Sequence, residues 1–225
     1  MTDLRLVIFD VDGTLVDSQA DILAAMAAAF ASEGLTLPSK VAVLSIVGLS
    51  LPVALARLLP EADSPTLARL VDAYKAAYAD LRVSRGAAES SPLYPGARSA
   101  LETLVADPTV RLAVATGKSR RGLDKLIEAH RLEGIFVSRQ TADDHPSKPH
   151  PAMIHACLSE AGTLAEHAVM VGDTTYDMDM ARAAGVGTVG VSWGYHPPST
   201  LRADCVIDSF AALVPALDQR WSRVT

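Results

Sequence analysis

Short apolar runs recur along the chain, and several of them stop at a polar or glycine residue. Residues 4–9 (LRLVIF) end at Asp10, and comparable runs follow at residues 111–115 (RLAVA), 134–137 (GIFV), 168–171 (AVMV), 187–191 (GTVGV) and 205–207 (CVI). A strand covered on both faces need not alternate apolar and polar positions, so these runs read as buried parallel strands. Helix-like segments lie between them, at residues 96–106, 119–130, 151–162, 176–184 and 210–220. Strands alternating with helices of this length predict an α/β fold with a doubly wound parallel sheet.

Residues 17–91 break the rhythm. Residues 20–33 carry a strong helical pattern closed by Gly34 as the C′ residue, and residues 51–59 and 65–82 also read as helices. No convincing strand falls among them, so an all-helical block is expected as an insertion after the first strand. The small, polar stretch at residues 86–92 (GAAESSP) reads as the linker that returns the chain to the sheet. The expected division is therefore a core of residues 1–16 and 92–225 and an inserted helical domain of residues 17–91.

Composition narrows the class. The chain has 225 residues, 49% of them hydrophobic and 20% charged, which is ordinary for a globular protein. Its net charge of -6 leaves no basic stripe for a nucleic-acid backbone. No apolar stretch approaches the roughly 18 residues needed to cross a bilayer. The N-terminal residues lack a signal-peptide core, and cytoplasm is the expected location. Cys157 and Cys205 are too far apart in sequence to suggest a metal or redox pair and are expected to be reduced thiols.

The candidate chemistry sits where the apolar runs end. Asp10, Val11, Asp12, Gly13 and Thr14 follow the first run, and ligands of open α/β sheets bind beyond the carboxyl ends of the strands. Two carboxylates one residue apart repel unless a cation lies near them, and a hard cation such as Mg²⁺ suits oxygen ligands. The bland alternative is a surface turn, since Asp-Gly is common turn chemistry. Thr116, Gly117 and Lys118 follow another run and offer a hydroxyl and amides at a helix start, although Thr116 also reads as a simple N-cap. Lys148 lies between stiff neighbours at the head of a helix, where a phosphoryl group would want a compact cation, although an isolated lysine more often reads as a solvated surface residue. Asp173 ends a third run, and Asp177 shares a face with it on the opening helical turn, although Asp173 or Thr174 also reads as a simple N-cap.

In order and spacing these residues resemble the motifs of the haloacid dehalogenase superfamily, and the similarity covers nearly the whole chain. Asp10 to Leu15 look like the first motif, Thr116 the second, Lys148 the third, and Gly172, Asp173 and Asp177 the fourth. The helical insertion is similar to that family's α-helical cap. Tyr94, Pro95 and Gly96, with the stretch ATGKSR at 115–120, resemble the phosphoglycolate-phosphatase-like branch. The resemblance implies a phosphatase acting on a small phosphorylated metabolite. Asp10 would be the nucleophile that becomes an aspartyl phosphate, and Asp12 the acid and then the base. Thr116 and Lys148 would bind phosphoryl oxygens. It implies Mg²⁺ at Asp10, Asp12 (through its backbone carbonyl), Asp173 and Asp177. Substrate contacts are expected from Thr14, Thr116, Gly117, Lys118 and Lys148, and from Gly48 and Ser50 in the cap loop.

Hinges are expected near residues 16–18 and 88–93. Sugar-phosphate mutases of the family carry an arginine in the cap loop where this chain has Leu51, which counts against mutase activity. Arg57, Arg82 and Arg85 are alternative anion contacts, although each also reads as a solvated helix charge. Other enzyme readings are an inorganic pyrophosphatase, a nucleotidase or a sugar-phosphate phosphatase. Outside enzymes stand a phospho-signalling module and an inactive binding protein. The chain is expected to be a monomer or a homodimer.

Overall fold

The protein, as a computed structural model, is described over residues 4–222, the side chains of Arg85 and Ala87 excepted. Strand β1 (Arg5–Phe9) leads into helices α1 (Gln19–Ser32), α2 (Lys40–Leu44), α3 (Leu51–Leu58), α4 (Ser64–Arg85) and α5 (Ala87–Ser90). The chain then alternates as α6 (Ala97–Ala106), β2 (Val110–Thr116), α7 (Arg120–Ala129), β3 (Phe136–Thr141), α8 (Ala152–Ala161), β4 (Ala168–Gly172), α9 (Thr175–Ala183), β5 (Gly187–Val191), β6 (Cys205–Ile207) and α10 (Leu213–Trp221). The six strands form one parallel sheet in the order β3-β2-β1-β4-β5-β6. Succession runs outward from β1 to β3 and then restarts at β4 on the other side. The reversal places a crevice between the carboxyl ends of β1 and β4, the usual ligand position in a doubly wound sheet.

The central strands are apolar on both faces because both are covered. Leu6 and Ile8 of β1 point into one buried cluster with Met153, Ile154 and Cys157 of α8 and Met180 of α9. Val7 and Phe9 point the other way, against Leu101 of α6, Leu126 of α7 and Leu217 of α10. The helical insertion buries its own cluster, which includes Met26 and Phe30 of α1, Leu55 of α3 and Leu70 of α4. Gly34 does follow α1 with a positive φ of 65°, as its C′ role requires. The two chain passages between sheet and insertion lie side by side: Asp17 N donates to Pro92 O at 2.9 Å and Tyr94 N to Leu15 O at 2.9 Å.

Three expectations shift. Strand β3 begins at Phe136 rather than 134, and runs through Ser138, Arg139 and Gln140. On this edge strand Arg139 is exposed, while the buried Ser138 accepts from Gln140 Nε2 at 2.8 Å, so polar residues hid the strand from an apolar-run search. Helix α2, capped by the Ser39 side chain accepting from Ala42 N at 3.2 Å, is too short to show a period. The stretch read as a plain return linker contains the single-turn helix α5. Among the described residues no helix is long and apolar enough to cross a membrane.

Candidate active site

The carboxyl edge of the sheet gathers the strand-end residues. Asp10 directly follows β1 and its backbone N–H donates to Val171 O at 2.9 Å, which extends the β1–β4 ladder to the crevice. Its side chain is buried. Lys148, itself buried, donates through Nζ to Asp10 Oδ1 at 2.7 Å and to Asp177 Oδ1 at 2.6 Å. The other oxygen of Asp10, Oδ2, is buried with no hydrogen-bond partner among the described residues.

Asp173 and Asp177 are held as firmly. Thr14 Oγ1 donates to Asp173 Oδ1 at 3.0 Å and Tyr195 N to Asp173 Oδ2 at 2.8 Å. Asp177 completes a capping box at the start of α9, where its Oδ2 accepts from Thr174 N at 3.0 Å and Thr174 Oγ1 at 2.7 Å. Gly13 is required here. Its φ is 84°, and a Cβ would stand 2.3 Å from Asp173 Oδ2.

Carboxylate oxygens of Asp10, Asp173 and Asp177 lie within 4.8 Å of one another. Burial, opposed by Lys148 and reinforced by the Asp177 charge, pushes the Asp10 carboxyl up to about 7. Burial raises Asp173 well above the usual carboxylate range, with the charges of Asp10 and Asp177 adding to it. Burial also pulls on the Lys148 ammonium, but its two carboxylate partners outweigh that and hold it above its ordinary value. One lysine does not balance three carboxylates. The unpartnered Asp10 Oδ2 and an all-oxygen donor set fit a hard divalent cation, which these three residues could hold.

A second buried pair stands beside the first. Lys118 Nζ reaches both oxygens of Asp12, at 2.6 and 2.7 Å. Ser18 Oγ donates to Asp12 Oδ1, and Ser18 Oγ also contacts Tyr195 Oη at 3.2 Å. Burial lowers the Lys118 ammonium, but attraction to Asp12 and Tyr78 leaves it above its ordinary value. The Asp12 side chain thus faces Lys118 and stands apart from the three-carboxylate group.

A cavity of about 670 Å³ joins these groups to the helical insertion. It is lined by Asp10, Asp12, Thr116, Gly117 and Lys118 from the sheet edge, and by Gly48, Leu49 and Ser50 from the insertion. The two sides touch closely. A Cβ on Gly117 would lie 2.6 Å from both Gly48 O and Leu49 O. Ser50 N donates to Ser147 Oγ at 2.9 Å.

Measured against the sequence reading, Asp10, Asp12, Thr116, Gly117, Lys118, Gly48 and Ser50 meet at one cavity. Thr116 is not an N-cap, because Ser119 takes that position on α7. Lys118 engages Asp12 and Thr14 engages Asp173, two partners that the residue types alone did not reveal. Arg57 is occupied with Tyr176 Oη at 2.7 Å, and the Arg85 side chain lies outside the described residues. The reading missed Ser18, Trp193 and Tyr195. Trp193 Nε1 donates to Thr14 O at 3.2 Å. Trp193 and Tyr195 follow β5, so extending the strand-end search to that strand would have found them.

Comparison with known proteins agrees with this geometry. The family model for haloacid dehalogenase-like hydrolases matches residues 7–191. A probable phosphatase, IndB, of Dickeya dadantii is 34% identical over 218 residues, covering 94% of this chain and 92% of the relative. The phosphoglycolate phosphatase of Agrobacterium fabrum is 34% identical over 226 residues, covering 96% and 93%. A hydrolase structure from Pseudomonas syringae superposes with a TM-score of 0.83 at 26% identity, covering 96% of this chain and 98% of the other. The chain belongs to the haloacid dehalogenase-like hydrolases and within them is similar to the phosphoglycolate phosphatases.

Proposed function

We propose that this hydrolase cleaves a small phosphate monoester, with phosphoglycolate the leading candidate, through an aspartyl phosphate on Asp10. The observation that carries the reading is the Asp10 carboxylate: Lys148 fixes Oδ1 while Oδ2 stays buried, unpartnered and at the cavity wall. A carboxylate so placed is a nucleophile. The relatives named as phosphatases support the same class.

In this mechanism the Asp10 carboxylate attacks phosphorus as the bond from phosphorus to the leaving oxygen breaks. Asp12 gives its proton to that oxygen, and the alcohol departs. Asp12 then takes a proton from water as the water oxygen attacks phosphorus, which frees Asp10 and inorganic phosphate. Lys148, the Thr116 hydroxyl and the Gly117 amide receive the phosphoryl oxygens, since phosphoryl transfer depends mainly on positioning and charge neutralisation. Lys118 and Ser18 hold Asp12 in place. Mg²⁺, held by Asp10, Asp173 and the Asp12 backbone carbonyl with Asp177 in support, would neutralise phosphoryl charge. The helical insertion acts as a cap domain that screens the site from water.

The test is release of inorganic phosphate from a broad panel of phosphorylated metabolites, with and without Mg²⁺. Magnesium-dependent turnover of one or a few monoesters is expected. Full turnover after chelation, or no turnover of any monoester, would overturn the reading.

A further inference from the structure

One cation at the cavity has no role in the mechanism above. Arg82, on α4 of the insertion, lines the same cavity as Asp10. Its Nη1 donates to Gly122 O at 3.2 Å, and its guanidinium lies over the Tyr78 ring, 5.7 Å from the centroid. The two remaining nitrogens, Nε and Nη2, are buried and have no hydrogen-bond partner among the described residues. Those two donors form one edge of the guanidinium fork, the edge that takes a carboxylate or phosphate in two parallel hydrogen bonds. Leaving buried charged donors empty is unfavourable, so the arrangement suits a ligand.

The neighbouring charges point the same way. Lys75, Arg121 and Lys125 also border the cavity. Of the acids on its wall, Asp10 is bound to Lys148, Asp12 to Lys118, and Asp143 accepts from the Arg120 backbone N–H at 2.8 Å; of the cations, Lys125 also donates to Glu128 Oε2 at 2.8 Å. We propose that Arg82 receives an anionic group, carboxylate or phosphate, carried on the alcohol portion of the substrate. Arg82 is thereby a specificity-determining residue that selects anionic over uncharged leaving groups. The inference rests on the phosphatase reading and adds to it the residue that chooses the substrate's charge.

The experiment measures kcat/KM of the full chain with Mg²⁺ for phosphoglycolate, ethyl phosphate and phosphoethanolamine. These probes have anionic, uncharged and cationic leaving groups. The wild type is expected to prefer phosphoglycolate. In Arg82→Gln the phosphoglycolate-to-ethyl-phosphate ratio should fall about 10- to 100-fold, mostly through KM, the size expected for lost charge-assisted hydrogen bonds. Arg82→Lys should restore part of it, and Arg82→Glu should shift preference toward phosphoethanolamine. A wild type without charge preference sinks the proposal whatever the variants do, and so does a ratio unchanged in Arg82→Gln and Arg82→Glu. Turnover of all three esters without discrimination overturns Arg82 alone, whereas no phosphate release from any monoester removes the phosphatase reading and this inference with it.

Discussion

The carboxyl edge of the sheet and the helical insertion both reach the cavity, but they are held in opposite ways. At the sheet edge each acid has fixed partners: Lys148 on Asp10 and Asp177, Thr14 and Tyr195 N on Asp173, Lys118 and Ser18 on Asp12. The strands beneath are buried on both faces. The insertion packs around its own cluster and meets the sheet edge through Tyr176 and Tyr195, which pack against that cluster, and through polar contacts such as Ser50 N to Ser147 Oγ, Arg57 Nη1 to Tyr176 Oη, Tyr176 Oη to Ser45 O and Arg82 Nη1 to Gly122 O. The difference teaches a division of labour. A preorganised edge suits bond-making chemistry, which tolerates little displacement. A unit with its own cluster, joined to that edge by side-chain contacts, suits substrate admission and choice.

The sharpest way to break that comparison is at its rigid side. Asp10→Asn keeps the shape and removes the proposed nucleophile, so activity should fall by about 10⁴-fold or more. The fold should survive, because Lys148 retains Asp177. Phosphate release together with near-ultraviolet circular dichroism checks both halves. An intact variant that still turned over would move the nucleophile elsewhere.

Lys118→Met comes next. It removes the ammonium bound to both Asp12 oxygens, leaving Ser18 as the remaining side chain on that carboxylate. Loss of a well-placed acid and base is worth about 10²–10⁴-fold, and a displaced one should cost the lower part of that range. The decrease should appear in kcat. An effect confined to KM would make Lys118 a substrate contact, as its sequence position first suggested.

Packing gives a third contrast. Leu101 is fully buried against the sheet and Leu70 fully buried in the insertion. Each truncation to Ala should cost about 2–5 kcal/mol. Leu101→Ala should lower the main unfolding midpoint and the protection of sheet amides in hydrogen exchange. Leu70→Ala should loosen amides of α1 and α4 first and leave the sheet protected. Equal loss of protection in both regions would mean that the insertion is not a separately packed unit.

Why some of this was legible in sequence and some not follows from the same physics. Buried parallel strands must be apolar on both faces, so β1, β2 and β4 announce themselves, and the residues that end them mark the site. Asp10, Thr116 and Asp173 were found for that reason. Strand β3 was displaced because it carries an exposed Arg139 and a buried Ser138–Gln140 pair whose hydrogen bond no apolar pattern signals. Partners were harder. Lys118 on Asp12 and Thr14 on Asp173 are pairings between residues 106 and 159 positions apart, which no local pattern encodes. Arg82 looked like a solvated charge because α4 has a weak apolar face, and only the fold shows two of its nitrogens buried.

The smallest expected effect tests the seam itself. Ser147→Ala deletes the acceptor for Ser50 N and leaves Lys148, one residue on, with both of its carboxylates. One neutral hydrogen bond is worth about 1 kcal/mol, so the shift in global stability should be near that figure or below it. Because the bond joins the insertion to the sheet edge, its loss should loosen the insertion against that edge. KM is then expected to rise severalfold while kcat stays within about twofold. The Ser50 amide should exchange faster than in the wild type. If kcat falls instead while KM holds, Ser147 acts through its neighbour Lys148, and the seam is part of the rigid edge rather than a boundary between two differently held regions.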